Sequence, residues 1–124
     1  MDPSTTANAQ AQMIARSYLF VPGDRPDRFD KACAAGADWV IVDLEDAVPP
    51  EKKNEARTAI GNWLSSQRRV VLRINADTTE WFRDDLGLAR GAGVAGIILP
   101  KAERFDEALQ AVCNRDGKFL LPQI

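Results

Sequence analysis

The chain has 124 residues, 45% hydrophobic and 27% charged, with 18 acidic against 16 basic residues and a net charge of −2. This is the size of one ordinary domain at most, and so even a charge balance gives no broad attraction for nucleic acid or an anionic membrane surface. There is no histidine, which excludes Ser-His-Asp and Cys-His triads, the HExxH zinc site and imidazole proton shuttles.

Residues 1–15 open small and polar as MDPSTTANAQAQ. They show neither an apolar period nor the basic-then-apolar order of a secretory signal, and they read as a disordered leader outside the fold. No apolar run approaches the ~20 residues of a membrane-spanning helix, so a cytoplasmic location is expected. Residues 16–124 then alternate between two patterns. Short, continuous, β-branched or aromatic runs stand at 18–21 (YLFV), 39–42 (WVIV), 70–72 (VVL), 96–99 (GIIL) and 119–121 (FLL), as in parallel strands covered on both faces. Between them lie four stretches with helical spacing.

In the first, Pro26 suits the opening turn, Phe29, Ala32 and Cys33 share a face, and Gly36 ends the helix. The second places Ala56, Ala59, Ile60, Trp63 and Leu64 on one stripe after Pro49-Pro50. The third starts at Thr78 or Thr79 and buries Phe82, Leu86 and Ala89, and the fourth uses Phe105, Ala108, Leu109 and Val112. Cys33 and Cys113 are far apart without metal-ligand spacing, so reduced, partly buried thiols are expected.

Strict βα alternation predicts an α/β fold with a parallel sheet. Two architectures accept it, an open doubly wound sheet and a (β/α)8 TIM barrel. The turn after the first strand, PGDRPDR, holds one glycine instead of a phosphate-binding glycine run. GAGVAG at 91–96 matches G-x-G-x-x-G, but it follows a helix and enters a strand, so it reads as a tight αβ connection. A whole barrel needs roughly 200 residues or more; these residues supply four βα units and a fifth strand.

In both architectures ligands bind where strands end. Those ends read Pro22-Gly23-Asp24-Arg25, Asp43-Leu44-Glu45-Asp46, Arg73-Ile74-Asn75 and Pro100-Lys101-Ala102-Glu103. Period-two geometry turns Asp43 and Glu45 to the same side, and close carboxylates need a cation, a proton or an arginine between them. They suit a hard-cation site or its surroundings, or else helix capping and local ion pairs. Arg73 lies inside an apolar strand and needs an anionic partner, either Asp43 or Glu45 or a substrate. Asn75 is a candidate neutral donor beside it, or a turn residue. Lys101 is a Schiff-base nucleophile or a counter-ion to the rim carboxylates, and joins Arg73 and Asn75 as a substrate-contacting candidate. Arg25, Arg28 and Lys31 form a basic group suited to the phosphates of an extended cofactor, or a solvated helix face.

SYLFVPGDRPDRFDKA, GADWVIVDLEDAVPPEKKNEAR, VVLRINA, GIILPKAE and FLLPQI, in that order over residues 16–124, resemble the citrate lyase β-subunit-like branch of the HpcH/HpaI aldolase family. The resemblance implies a (β/α)8 barrel that is often trimeric or hexameric and binds Mg2+. It also implies that the protein makes or breaks carbon-carbon bonds in 3-hydroxyacyl thioesters such as citryl-, malyl- or citramalyl-CoA, or their acyl-carrier-protein counterparts. By position, Arg73 is similar to the arginine that holds the 2-oxo acid. Asp43 and Glu45 match the acidic pair behind the metal and its waters, and Arg25 to Lys31 lie where relatives receive coenzyme A phosphates.

Hydroxy-acid aldolases of the same family use a histidine near the second strand, so its absence favours the thioester-lyase branch. The family's direct metal carboxylates follow the fifth and sixth strands, and this sequence ends at Gln123-Ile124. No direct metal ligand is therefore expected in it. The resulting expectation is the N-terminal half of a Mg2+-dependent thioester carbon-carbon lyase. The alternatives are a non-catalytic fragment and a metal-dependent 2-oxo-acid aldolase that does not use coenzyme A.

Overall fold

The structure, a computed structural model of the chain, describes residues 17–66, 69–100 and 107–123. Residues 1–15, expected as a disordered leader, and the segment holding Lys101, Glu103 and Phe105 lie outside the described residues. Among the described residues five strands form one sheet: β1 (Tyr18–Pro22), β2 (Trp39–Asp43), β3 (Val70–Arg73), β4 (Val94–Leu99) and β5 (Phe119–Pro122). Every neighbouring pair is parallel, and the spatial order β1-β2-β3-β4-β5 follows the chain. A doubly wound sheet reverses its strand order at a switch point. An order that never reverses is that of a (β/α)8 barrel wall.

The described connections hold four helices: α1 (Phe29–Ala34), α2 (Lys53–Trp63), α3 (Phe82–Ala89) and α4 (Glu107–Arg115). Short 3-10 turns over Pro26–Arg28 and Pro50–Lys52 lead into α1 and α2, where proline's fixed φ suits a first turn. Side-chain alternation divides the sheet into two faces. Val40, Val42, Leu72, Ile97 and Leu120 pack beneath the helices with Phe29, Ala56, Ile60 and Leu109. Ile60 is fully buried, and its removal from water stabilises α2 on the sheet by roughly 1.5–3 kcal/mol. The opposite face gathers Ile41, Val71, Ala95, Ile98 and Phe119. On β1 it continues into Tyr18 and Phe20, which pair in register with Trp39 and Ile41 and are 40% and 47% exposed.

The glycine run at 91–96 connects α3 to β4 as expected. Gly93 sits at φ 90°, a left-handed conformation that glycine adopts without penalty, and its carbonyl accepts the Val70 N–H at 2.9 Å.

Two expectations need correction. The third helix begins at Phe82, not at Thr78 or Thr79. The Thr79 hydroxyl and N–H both turn back to the Ala76 carbonyl, at 2.7 and 3.0 Å, so Thr79 closes a turn instead of capping the helix. Phe82 and Leu86 are then only half-buried, while the fully buried positions of α3 are Ala89 and, unexpectedly for a charged residue, Asp85. The thiols also differ. Cys113 is buried, and burial pushes its pKa up, whereas Cys33 is exposed. In a helix of six residues only Phe29 and Ala32 reach the core.

Candidate active site

The C-terminal ends of β1, β2 and β3 are tied together through backbone as well as side chains. Gly23 donates its N–H to the Asp43 carbonyl at 2.8 Å. A Cβ at Gly23 would stand 2.7 Å from that same oxygen and 3.0 Å from Ile60 Cδ1, so the turn after β1 requires glycine for close approach. β2 ends at Asp43, and the chain folds back over the Asp43 carboxylate. Glu45 N–H donates to Asp43 Oδ1 at 2.8 Å, and Ala47 N–H to Oδ2 at 3.1 Å. This turn sets Glu45 beside Asp43; both are buried, while Asp46 is exposed.

Arg73 is the register partner of Asp43 on β3. Its Nε donates to Asp43 Oδ1 at 2.9 Å and its Nη2 to Oδ2 at 2.5 Å, a bidentate fork. Nε also stands 3.7 Å from Glu45 Oε1. The guanidinium lies over the Phe20 ring at 5.0 Å. The hydrogen bonds to Asp43, more than the opposing burial, push its pKa above its already high value. It is permanently charged, and its side chain retains 17% exposure.

A second set of charges stands behind this one. Lys53, at the start of α2, is 5% exposed. Its ammonium donates to the Leu44 and Glu45 carbonyls at 2.8 and 2.9 Å and faces the Trp81 ring at 5.0 Å. Burial lowers its pKa, and Asp85, Asp43 and Glu45 partly restore it. Asp85 is fully buried. Its Oδ1 accepts from Arg57 Nε at 3.0 Å, and its Oδ2 accepts from Asn75 N–H at 3.0 Å and Asn75 Nδ2 at 2.6 Å.

The structure therefore brings Asp43, Glu45 and Arg73 together, as their places in the sequence suggested. Asn75, expected as a substrate donor, spends Nδ2 on the Leu44 carbonyl at 3.0 Å and on Asp85; it braces the loops after β2 and β3. Arg25, Arg28 and Lys31 are exposed, and Arg25 is forked onto Asp27 at 3.1 and 3.0 Å, which offsets part of that group's positive charge. Lys101 lies outside the described residues. Lys53, Arg57 and Asp85 were not anticipated. The sign available for two of them is that a charged residue shares an apolar stripe, Lys53 with Ala56 and Ile60, and Asp85 with Phe82 and Ala89.

A carboxylate offers about four acceptor positions, and Asp43 fills its own with the Glu45 and Ala47 N–H groups and the two arginine donors. Asp43 thus serves Arg73 and its own turn. Among the described residues no group of three or more Cys, Asp or Glu side chains could hold a metal ion.

Residues 16–115 match the HpcH/HpaI aldolase/citrate lyase family. The chain belongs to that family. A citrate lyase subunit beta-like protein of Mycobacterium tuberculosis is 43% identical over 93 residues, which cover 75% of this chain and 34% of the relative. A (3S)-malyl-CoA thioesterase of Cereibacter sphaeroides is 36% identical over 103 residues, covering 80% and 36%. The crystal structure of the M. tuberculosis protein CitE in complex with magnesium, acetoacetate and coenzyme A superposes with a TM-score of 0.69 at 37% identity, over 90% of this chain and 40% of that one. The chain spans about a third of the length of these two curated relatives. Within the HpcH/HpaI family fold, the Asp43–Arg73 fork occupies the strand ends on the barrel's inner face.

Proposed function

We propose that the full-length gene product is a carbon-carbon lyase that cleaves a 3-hydroxyacyl thioester of coenzyme A into an acyl thioester and a 2-oxo acid. The observation that carries this reading is Arg73. It is a permanently charged guanidinium at the C-terminal end of an inner-face strand, with its Nε and Nη2 edge held by Asp43.

With that edge fixed, the Nη1 side of the guanidinium stands outside the Asp43 fork. It is the donor this arrangement offers to a substrate carboxylate or keto oxygen. In the cleavage, the bond between the thioester's α-carbon and the carbinol carbon breaks. The hydroxyl loses its proton as the carbinol becomes a ketone, and the electron pair passes into the thioester enolate, which then takes a proton. Arg73 binds and orients the oxo-acid half, and a positive charge already in place needs no reorganisation as negative charge develops on oxygen. Asp43 and Glu45 hold Arg73 in its orientation. Mg2+ enters as a requirement of the full-length protein on the strength of the relatives, one of which forms a complex with magnesium and coenzyme A. Arg25, Arg28 and Lys31 are proposed to receive the coenzyme A phosphates, Lys101 to contact substrate, and the full-length protein to assemble as a homo-oligomer.

The thioesterase relative supports a second reading, hydrolysis of the same class of ester. Product analysis separates the two. Incubated with malyl-, citramalyl- or citryl-CoA and Mg2+, a lyase releases a 2-oxo acid and a shorter acyl-CoA, whereas a thioesterase releases a hydroxy acid and free coenzyme A. Arg73→Ala is expected to lower kcat/KM by about 100-fold or more, the scale of losing a preorganised charge-stabilising donor. Full activity in that variant would refute the role of Arg73.

A further inference from the structure

We propose that Lys53 is a positioning residue, whose buried ammonium clamps the peptide groups leaving β2 and thereby sets where the Asp43–Arg73 fork stands. The inference rests on the reading of Arg73 above and extends it to a residue that touches neither the guanidinium nor its carboxylate partner in the fork.

The argument begins with two peptide groups. Leu44 donates its N–H to the Arg73 carbonyl at 2.9 Å, and its own carbonyl accepts from Lys53 Nζ at 2.8 Å and Asn75 Nδ2 at 3.0 Å. Glu45 donates its N–H to Asp43 Oδ1 at 2.8 Å. Its carbonyl accepts from Lys53 Nζ at 2.9 Å and from Val48 N–H at 3.2 Å. Asp43 Oδ1 is also the atom that receives Arg73 Nε. A shift of the Glu45 peptide is therefore transmitted to the oxygen that aims the arginine. Lys53 is the group that bonds both carbonyls of this segment, and it comes from a different element, the first turn of α2.

The chemistry of the position calls for a compact cation. An ammonium has three donors on one point, enough to serve two carbonyls and still face the Trp81 ring at 5.0 Å. The carboxylates of Asp43, Glu45 and Asp85 supply opposing charge around it. Asp85 in turn holds Asn75, so the Leu44 carbonyl is gripped from the α2 side and the β3 side together.

The test is made on the full-length gene product with Lys53→Met and, in parallel, Arg73→Ala. At temperatures where Lys53→Met remains folded, kcat per folded molecule is expected to fall about 10- to 100-fold while the thioester KM stays within about twofold. A residue needed for folding alone would lower the melting temperature and leave kcat per folded molecule unchanged, and that result would overturn the proposal. If Arg73→Ala leaves activity intact, the reading of the site fails, whatever Lys53 does. If Arg73→Ala is inactive while Lys53→Met is not, only the positioning role falls. If Lys53→Met does not fold, the wild-type protein carries the test by NMR. Cross-hydrogen-bond correlations from Lys53 15Nζ to the Leu44 and Glu45 carbonyl carbons are then required, and their absence overturns the clamp.

Discussion

Replacing Asp85 by asparagine changes one atom and tests the network behind the site. Asp85 is fully buried on α3 and accepts three hydrogen bonds, from Arg57 Nε on one oxygen and from the Asn75 N–H and Nδ2 on the other. Asparagine has a single acceptor oxygen. Turned toward Asn75, that oxygen leaves an NH2 group facing the Arg57 guanidinium. Turned the other way, the NH2 meets two donors of Asn75. The first orientation costs less, because Arg57 is 17% exposed and has further partners in Asn54 Oδ1 at 2.9 Å and Asp84 at 3.8 Å.

A hydrogen bond to a charged group contributes roughly 1.5–3 kcal/mol, and removing one partner of a buried ion pair costs roughly 3–5 kcal/mol. With Arg57 partly relieved by water, Asp85→Asn is expected to cost about 2–4 kcal/mol and Asp85→Ala about 3–5 kcal/mol. The control is the next residue. Asp84→Asn makes the same chemical change at a side chain that is 71% exposed and 3.8 Å from Arg57, where an ion pair contributes about 0–1 kcal/mol. Urea unfolding followed by tryptophan fluorescence measures all three variants, with a change in midpoint at constant slope reporting stability. If Asp85→Asn proves no more destabilising than Asp84→Asn, the account of a buried, fully engaged acceptor is wrong.

The other two predictions bear on the strand ends and on acid stability. Gly23→Ala places a methyl 2.7 Å from the Asp43 carbonyl oxygen; overpacking of this kind costs about 1–3 kcal/mol, and an unchanged urea midpoint would show that the turn relaxes freely. Asp116 is held below the usual carboxylate range of ~4, mainly by the hydrogen bond from Arg90 Nε at 2.8 Å. Its contribution to stability is complete above the unfolded carboxyl's pKa and is lost as pH falls through the lower folded value. Asp116→Asn should therefore flatten stability against pH below about 4, and an identical acid limb in both proteins would count against the pair.

Much of the fold was legible because it rests on apolar periodicity. Each of the five runs became a strand within a residue or two of its expected ends, since buried parallel strands are nearly continuous in hydrophobic character. The gathering of Asp43, Glu45 and Arg73 was legible for a related reason. Strands consecutive in sequence are neighbours in this sheet, so charges that follow consecutive apolar runs must meet. Lys53 and Asp85 were hidden because they sit in charge-rich stretches, EKKNEAR and FRDD, where a solvated helix surface is the ordinary meaning. Which charge in such a run turns inward depends on the rotation of the helix against the sheet, which composition does not carry. Cys33 shows the same limit from the other side. Its helix is short enough that one step of rotation decides between core and solvent.

The four residues Asp43-Leu44-Glu45-Asp46 show how a short acidic motif divides its labour once the chain folds. Asp43 gives all its acceptor capacity to an arginine and to the turn that follows it. The Leu44 side chain is part of the core beneath the helices, while its carbonyl takes donors from α2 and from the loop after β3. Glu45 contributes a second buried carboxylate near the guanidinium, and Asp46 faces solvent. Of its three acids, only the two buried ones must be balanced, and the cations that balance them come from different elements: Arg73 from β3 and Lys53 from α2. Neither cation is local, so β3 and α2 together balance the motif's buried charge, while the Glu45 and Ala47 N–H groups hold the turn over Asp43 from within. On the positioning role proposed for Lys53, disturbing α2 should change how Arg73 is aimed before it changes whether the arginine is present.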